Sequence, residues 1–132
     1  MNYLLDTHTL IWAMAAPHKL SKKVADILQD ANDEIFVSVI SFWEIALKCA
    51  LHKIQIEGLE PEDFLKAAIK TGFQVISLEA QTSVSYHQLK ANHHRDPFDR
   101  MLIWLAIQND YQLISKDEDI QKYADVGLNV IW

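Results

Sequence analysis

Cysteine is almost missing from this chain. Cys49 is the only one in 132 residues, so no disulfide can form within it. Its place in the run Ile45-Ala46-Leu47-Lys48-Cys49-Ala50-Leu51 marks it as a small core residue. Long apolar runs are missing too. None approaches the roughly 18 residues of a membrane span, and no cationic segment leads into an apolar one at the start. The chain is therefore expected in the cytoplasm, with no membrane partner. Basic charge is scarce as well: 12 Lys and Arg face 18 Asp and Glu, a formal net charge of -6. That balance excludes a protein that coats nucleic acid by charge alone, but it leaves room for an acidic pocket that holds a metal ion. What is present suffices for a real core. Half of the residues are apolar and 23% are charged, and the length fits one domain spanning residues 1–132.

The order of apolar segments is that of an α/β protein. Tyr3-Leu4-Leu5 is a short apolar run without alternation, as a central parallel strand covered on both faces requires. Thr9 to Ala16 reads as a helix that breaks near Pro17, and Ser21 caps a second helix with Val24, Ala25, Ile27 and Leu28 inward. Ile35 to Val39 is a second strand. Ser41-Phe42-Trp43-Glu44 opens a helix running to about Leu51. Pro61 and Gly72 bracket the next helix, with Phe64, Leu65, Ala68 and Ile69 on its inner face. Gln74 to Leu78 is a third strand and Ala80 to Leu89 a helix. Lys90 to Arg95 is a polar, basic loop. Asp96-Pro97 starts a strongly apolar helix, Gln112 to Ser115 is a fourth strand, Glu118 to Ala124 a short helix, and Val130-Ile131 a last strand. Strands alternating with helices imply a three-layer α/β/α sandwich around a mostly parallel sheet.

Four acids fall where such sheets bind ligands. Asp6 follows the first strand, Glu44 and Asp99 lie in the first turns of their helices, and Asp117 follows the fourth strand, all at one edge of the sheet. Carboxylates gathered there must take up protons or share a divalent cation. Hard oxygen donors suit Mg²⁺ or Mn²⁺ better than zinc, and a carboxylate-held ion suits phosphoryl chemistry. A plainer reading stands beside each acid. Ser41-x-x-Glu44 and Ser115-x-x-Glu118 read as capping boxes, and Asp96 as the cap before Pro97. No helix start calls for Asp6. The pair His93-His94, without nearby partners, makes a poor zinc site. Trp12, Trp43 and Trp104 lie on apolar stripes and are core candidates first; any left exposed would help form a groove for a partner helix.

Four stretches together carry a resemblance: Leu5-Asp6-Thr7-His8, Ser41-Phe42-Trp43-Glu44-Ile45, His94 through Leu102, and Leu113-Ile114-Ser115-Lys116-Asp117. In this order they resemble the PIN domain, and in particular the VapC-type ribonuclease toxins of toxin-antitoxin pairs. The resemblance covers essentially the whole chain. It implies Mg²⁺-dependent cleavage of RNA, whether tRNA or mRNA, together with a homodimer and inhibition by a small antitoxin protein. It also implies that Asp6 and Asp99 are the principal metal ligands, that Glu44 and Asp117 are the second and fourth acids, and that Thr7 and Ser115 are the hydroxyls beside the metal. Ser115 stands where the family more often has threonine. Arg95 and Arg100, and with them Lys48 and Lys90, are candidates to grip RNA phosphates, against a plain reading as solvated surface charge. Other functions remain open: a non-cleaving PIN-like module that binds RNA or protein, and a structure-specific DNA nuclease. Phosphoaspartyl chemistry fits less well, because Asp6-Thr7-His8 is not Asp-x-Asp.

Overall fold

Tyr3, Leu4 and Leu5 are apolar without alternation because both faces of their strand are covered. In the computed structural model, which describes residues 1–132, strand β1 (Asn2–Leu5) is the middle strand of five. Its Leu4 enters one core cluster, while Tyr3 and Leu5 enter the other. Strand β2 (Glu34–Ser38) divides the same way, with Phe36 on one side and Ile35 and Val37 on the other. Strands β3 (Gln74–Ile76), β4 (Gln112–Ile114) and β5 (Asn129–Ile131) complete the sheet. The order is β3-β2-β1-β4-β5, and every neighbouring pair is parallel.

The helices sort onto the two faces by their apolar stripes. Helices α1 (Thr7–Ala15), α2 (Lys22–Gln29) and α4 (Pro61–Thr71) supply Leu10, Val24 and Phe64 to the cluster that contains Leu5. Helix α3 (Val39–Ala50) straddles the layers, with Ile45 in that cluster and Ile40 in the other. Helices α5 (Ala80–Ser85), α6 (Pro97–Asn109) and α7 (Glu118–Gln121) cover the Leu4 side, where Leu102, Ile103 and Ile120 are fully buried. No helix is long and apolar enough to cross a membrane. The expected three-layer arrangement is therefore present, with a sheet that is parallel throughout.

Several local expectations change. Helix α1 begins two residues earlier than expected, because Asp6 caps it: its side chain accepts from the Thr9 amide at 2.8 Å. A helix start does use Asp6. Helix α3 begins at Val39, directly off β2, with Ser38 as cap and its hydroxyl accepting from the Ile40 amide at 3.0 Å. Ser41 is thus inside the first turn and Glu44 lies in the second, so the capping box expected from Ser41-x-x-Glu44 does not exist. Pro61 and Gly72 do bracket α4, Gly72 with φ 96. Only Phe64 and Ala68, one turn apart on a single face, are buried in it; Leu65 and Ile69 sit about 100° around the helix, and Ile69 is 60% exposed. The expected helices over 80–89 and 118–124 each finish as 3-10 turns, at Tyr86–Gln88 and Lys122–Val126.

The cap at Ser38 can be measured. Ser38→Ala should cost about 1 kcal/mol, because a buried first-turn amide loses its acceptor, which lowers the melting temperature by roughly 3–5 °C for a chain of this size. An unchanged melting temperature would place the start of α3 elsewhere.

Candidate functional site

Parallel strands deliver their carboxyl ends to one edge, and register decides which residues meet there. Leu5 pairs with Ile114, so the next residues, Asp6 and Ser115, emerge side by side. The Asp6 amide donates to the Ile114 carbonyl at 3.2 Å, and the Ser115 amide to the Ile131 carbonyl at 3.1 Å. Asp6 is only 3% exposed, and burial raises the pKa of its carboxyl. Hydrogen bonds from Ser115 and Thr9 and the nearby His8 oppose the rise.

Glu44 comes from α3 and is also buried. One carboxylate oxygen, Oε2, accepts from Lys48 Nζ one turn along the helix. The other, Oε1, is buried without any hydrogen-bond partner. Asp99 stands in the first turn of α6. Its carboxyl is pushed up to about 7, first by burial and then by the charges of Asp96, Glu44 and Asp6, with His94 pulling the other way. The charge of Asp6, at the start of α1, and that of Glu44, on α3, are thus felt on α6. Asp96 caps α6 as expected, accepting from the Asp99 amide at 3.0 Å. Asp117 is the most open of the four, its side chain 38% exposed. It caps α7, with Oδ1 accepting from the amides of Asp119 and Ile120 at 2.8 and 3.2 Å.

His94 joins this group, contrary to its expected place as a bystander in the loop. Its Nε2 lies 3.2 Å from Asp99 Oδ2 and 3.2 Å from Asp117 Oδ2. Its Nδ1 accepts from the Asp96 amide at 3.1 Å. A neutral imidazole with Nδ1 accepting carries its proton on Nε2. His94 therefore donates Nε2–H to Asp117 and lies beside Asp99, linking the two aspartates. The signal in the sequence was its position five residues before Asp99, in the loop that feeds the same helix. His93 instead meets Asp125 at 2.9 Å and the edge of the Tyr123 ring.

The remaining candidates divide. Ser115 is buried beside Asp6, its hydroxyl accepting from the Asp117 amide at 3.1 Å. Thr7 is buried and donates to the Ser41 hydroxyl at 3.1 Å, tying α1 to α3. Arg95 and Lys90 are exposed, whereas Lys48 is held by Glu44. Arg100 turns inward. It donates to the hydroxyls of Tyr86 and Tyr123, each at 2.7 Å, and to the carbonyls of Ala91 and Leu89 at 2.7 and 2.9 Å. Its fork shape, matched to several acceptors at once, fastens the loop that carries His94 and spends most of its donors inside the protein. Of the tryptophans, Trp104 is buried, with its indole N–H on Ser85 at 3.1 Å, while Trp43 is 59% exposed and Trp12 half-buried.

The donor set fits a hard divalent cation. Asp6 and Glu44 are buried carboxylates whose charges raise the pKa of the Asp99 carboxyl, and the unpartnered Glu44 Oε1 is the kind of buried polar atom that an ion or its water satisfies. Ligand atoms of His94, Asp99 and Asp117 also lie within 4.8 Å of one another. Because His94 Nε2 carries its proton in this arrangement, the free donors are oxygens, a set that favours Mg²⁺ or Mn²⁺ over zinc.

Known proteins resemble this chain in sequence and in fold. The family model described as PIN domain matches residues 3–126. The chain is 24% identical over 129 residues to Ribonuclease VapC22 of Mycobacterium tuberculosis, covering 98% of this chain and 97% of that protein. Its fold is similar to that of VapBC2 from Rickettsia felis bound to a DNA fragment from the promoter, with TM-score 0.68 and 15% identity over 99% of this chain and 98% of that chain. It is similar also to VapBC-1 from nontypeable Haemophilus influenzae, with TM-score 0.68 and 20% identity over 99% of this chain and 97% of that one.

The raised carboxyl of Asp99 fixes a pH dependence for the metal-free protein. An unfolded aspartate loses its proton near pH 3.9, whereas the folded one keeps it to about 7. Between those values the folded state holds the extra proton. Stability contributed by Asp99 is thus complete below about pH 4 and is lost as pH rises towards 7. In EDTA, the melting temperature should fall across that window, and Asp99→Asn should flatten the fall and melt higher than wild type at pH 8. Equal profiles for the two proteins would remove the crowding.

Proposed function

This chain belongs to the PIN-domain family, and from that premise we propose that it is a Mg²⁺-dependent endoribonuclease, the toxin of a toxin-antitoxin pair. The observation that carries the reading is the gathering of acids at one edge of the sheet: Asp6 and Asp117 line one cleft, His94 lies between Asp117 and Asp99, and buried Glu44 keeps one oxygen unpaired. The ribonuclease name of the Mycobacterium tuberculosis relative and the VapBC complexes with this fold support it.

In this mechanism Asp6 and Asp99 would hold the cation, Mg²⁺ or in its place Mn²⁺. When bound, it would supply positive charge against the phosphodiester and its leaving oxygen and would make an attacking water more acidic. Glu44 Oε1, buried and without a partner, orients that water and accepts its proton. Lys48 holds the other oxygen of Glu44, so the carboxylate cannot turn away. Asp117 Oδ2 faces the same space while Oδ1 is tied to two amides, and it steadies the water or a second ion. His94 keeps Asp99 and Asp117 in register. Ser115 supports Asp6, and Thr7 fixes the α1–α3 junction beside it. Arg95 is the one arginine of the loop left exposed for RNA phosphate.

The reading includes partners. A small antitoxin protein and a second copy of this chain are the protein partners, and the exposed Trp43, Leu51 and Ile69 offer apolar contact area for such interfaces. The whole of residues 1–132 acts as one PIN-like domain, in the cytoplasm.

The decisive experiment is incubation of the purified protein with total RNA and a set of tRNAs, with Mg²⁺ or with EDTA. Cleavage in Mg²⁺ alone is expected. Intact RNA in Mg²⁺ would leave a non-cleaving module, and cutting of structured DNA alone would leave a DNA nuclease. Asp6→Asn and Asp99→Asn should each lower the rate at least about 100-fold, and Asn at position 6 keeps the α1 cap, so the fold is retained. Millimolar Mg²⁺ should raise the melting temperature of wild type by several degrees, since only the folded state binds it. An unmoved melting temperature would count against the ion site.

A further inference from the structure

A cleft of about 330 Å³ opens beside the acids, lined by Asp6, His8, Trp12, Lys116 and Asp117. Its volume lies at the lower end of the range for small-ligand sites, about 300–1,000 Å³. One wall carries two of the acids, and the other is the indole of Trp12. That indole is held from the side by Trp132, with ring centroids 5.7 Å apart in an edge-on contact, and His8 stands 5.9 Å away at a tilt. Two ammonium groups gather at the same ring: Lys19 Nζ at 5.9 Å from its centroid and Lys116 Nζ at 6.0 Å. Neither lysine is within salt-bridge distance of an acid. In a chain of net charge -6, both cations are thus held by the indole alone, as cation–π contacts at the long end of their range, and stay free to meet an anion beside the carboxylates.

We propose that this cleft is a nucleotide subsite, in which an unpaired RNA base stacks on Trp12 while Lys116 and Lys19 meet the phosphate next to the scissile one. The inference rests on the nuclease reading and adds to it a base-stacking contact at Trp12. An aromatic ring offers one kind of contact to every base, its face, so the subsite is tolerant of sequence. Only a splayed base can reach that face, because a base in an A-form helix is stacked on its neighbours. The subsite therefore takes one unpaired nucleotide and has no contact to offer a base held within a continuous duplex. Charge placement agrees. A phosphate backbone approaching an acidic pocket is repelled unless cations stand on its path, and the two lysines stand on the Trp12 side of the acids. An aromatic side chain of a protein partner is the competing occupant; it would use the ring but would leave the two ammonium groups without anions.

The test measures affinity apart from cleavage. Binding of a short, unstructured, 5′-labelled RNA is followed by fluorescence anisotropy in the Asp99→Asn background, and cleavage is followed separately in wild type with Mg²⁺. Trp12→Ala should weaken binding about tenfold or more, and Trp12→Phe should recover most of it. Lys116→Ala, at an exposed position, should lower the slope of log affinity against log salt by about 0.7, the value of one phosphate contact on a single strand. A duplex of the same sequence should bind weakly and show no dependence on Trp12. In otherwise wild-type protein, Trp12→Ala should raise KM far more than it lowers kcat. Equal RNA affinity with Trp, Phe and Ala at position 12 overturns the subsite, as does absence of RNA binding by the Asp99→Asn protein. If Trp12→Ala loses a protein partner and keeps its RNA affinity, the cleft belongs to protein and the subsite is overturned. RNA cleavage with affinity independent of Trp12 sinks the subsite alone, whereas Trp12-dependent binding without cleavage sinks the nuclease reading alone. Should Trp12→Ala fail to fold, Trp12→Phe and Lys116→Ala decide the matter, an unchanged salt slope overturning it.

Discussion

Negative charge held out of water is the constraint around which this molecule is arranged. Asp6 and Glu44 are almost fully buried and Asp99 nearly so, and each costs desolvation energy that grows with the proximity of the others. The fold offsets this with a different device at each position. Asp6 takes the Thr9 amide at the start of α1, and Asp117 takes two amides at the start of α7. Glu44 has Lys48 one turn along α3, and Asp99 has His94. Helix starts are suited to this, because their free N–H groups and dipole favour an anion. None of the devices quenches the cluster completely: Asp99 remains partly protonated near neutral pH and one oxygen of Glu44 is unpartnered.

The division between structural and chemical acids does not hold here. Asp6 is both the cap of α1 and a deeply buried carboxylate that lines the cleft, and Asp117 is both the cap of α7 and a wall of the cleft. A carboxylate has two oxygens, and at each of these positions one serves the backbone while the other faces the pocket. Caps of this kind fix a side chain more firmly than rotamer preference alone, which is what a site that must hold geometry requires.

Much of this was legible in the residues. The uninterrupted apolar runs at 3–5 and 35–37 announced strands covered on both sides, Pro61 and Gly72 bracketed α4, and the four acids could be placed at one edge from element order alone. What was not legible depends on contacts through space. The start of α3 was misplaced because Ser38 and Ser41 are equally good caps by residue type, and only the absence of any loop after β2 decides between them. His94 had no partner within its own loop; its partners arrive on α6 and α7. Arg100 looked like a surface cation, but its acceptors are tyrosine hydroxyls and loop carbonyls that the fold brings from positions 86 to 123. Trp12 looked like core, and became a cleft wall because α1 turns its Leu10 face inward and leaves the indole near β4's exit.

Placing β1 in the middle of the sheet, with β4 beside it, ties the pocket to a contact between segments far apart in sequence. Asp6 emerges beside Ser115 only once β1 and β4 are paired, so the two walls of the cleft take shape with the slow, non-local step of folding rather than with any local helix.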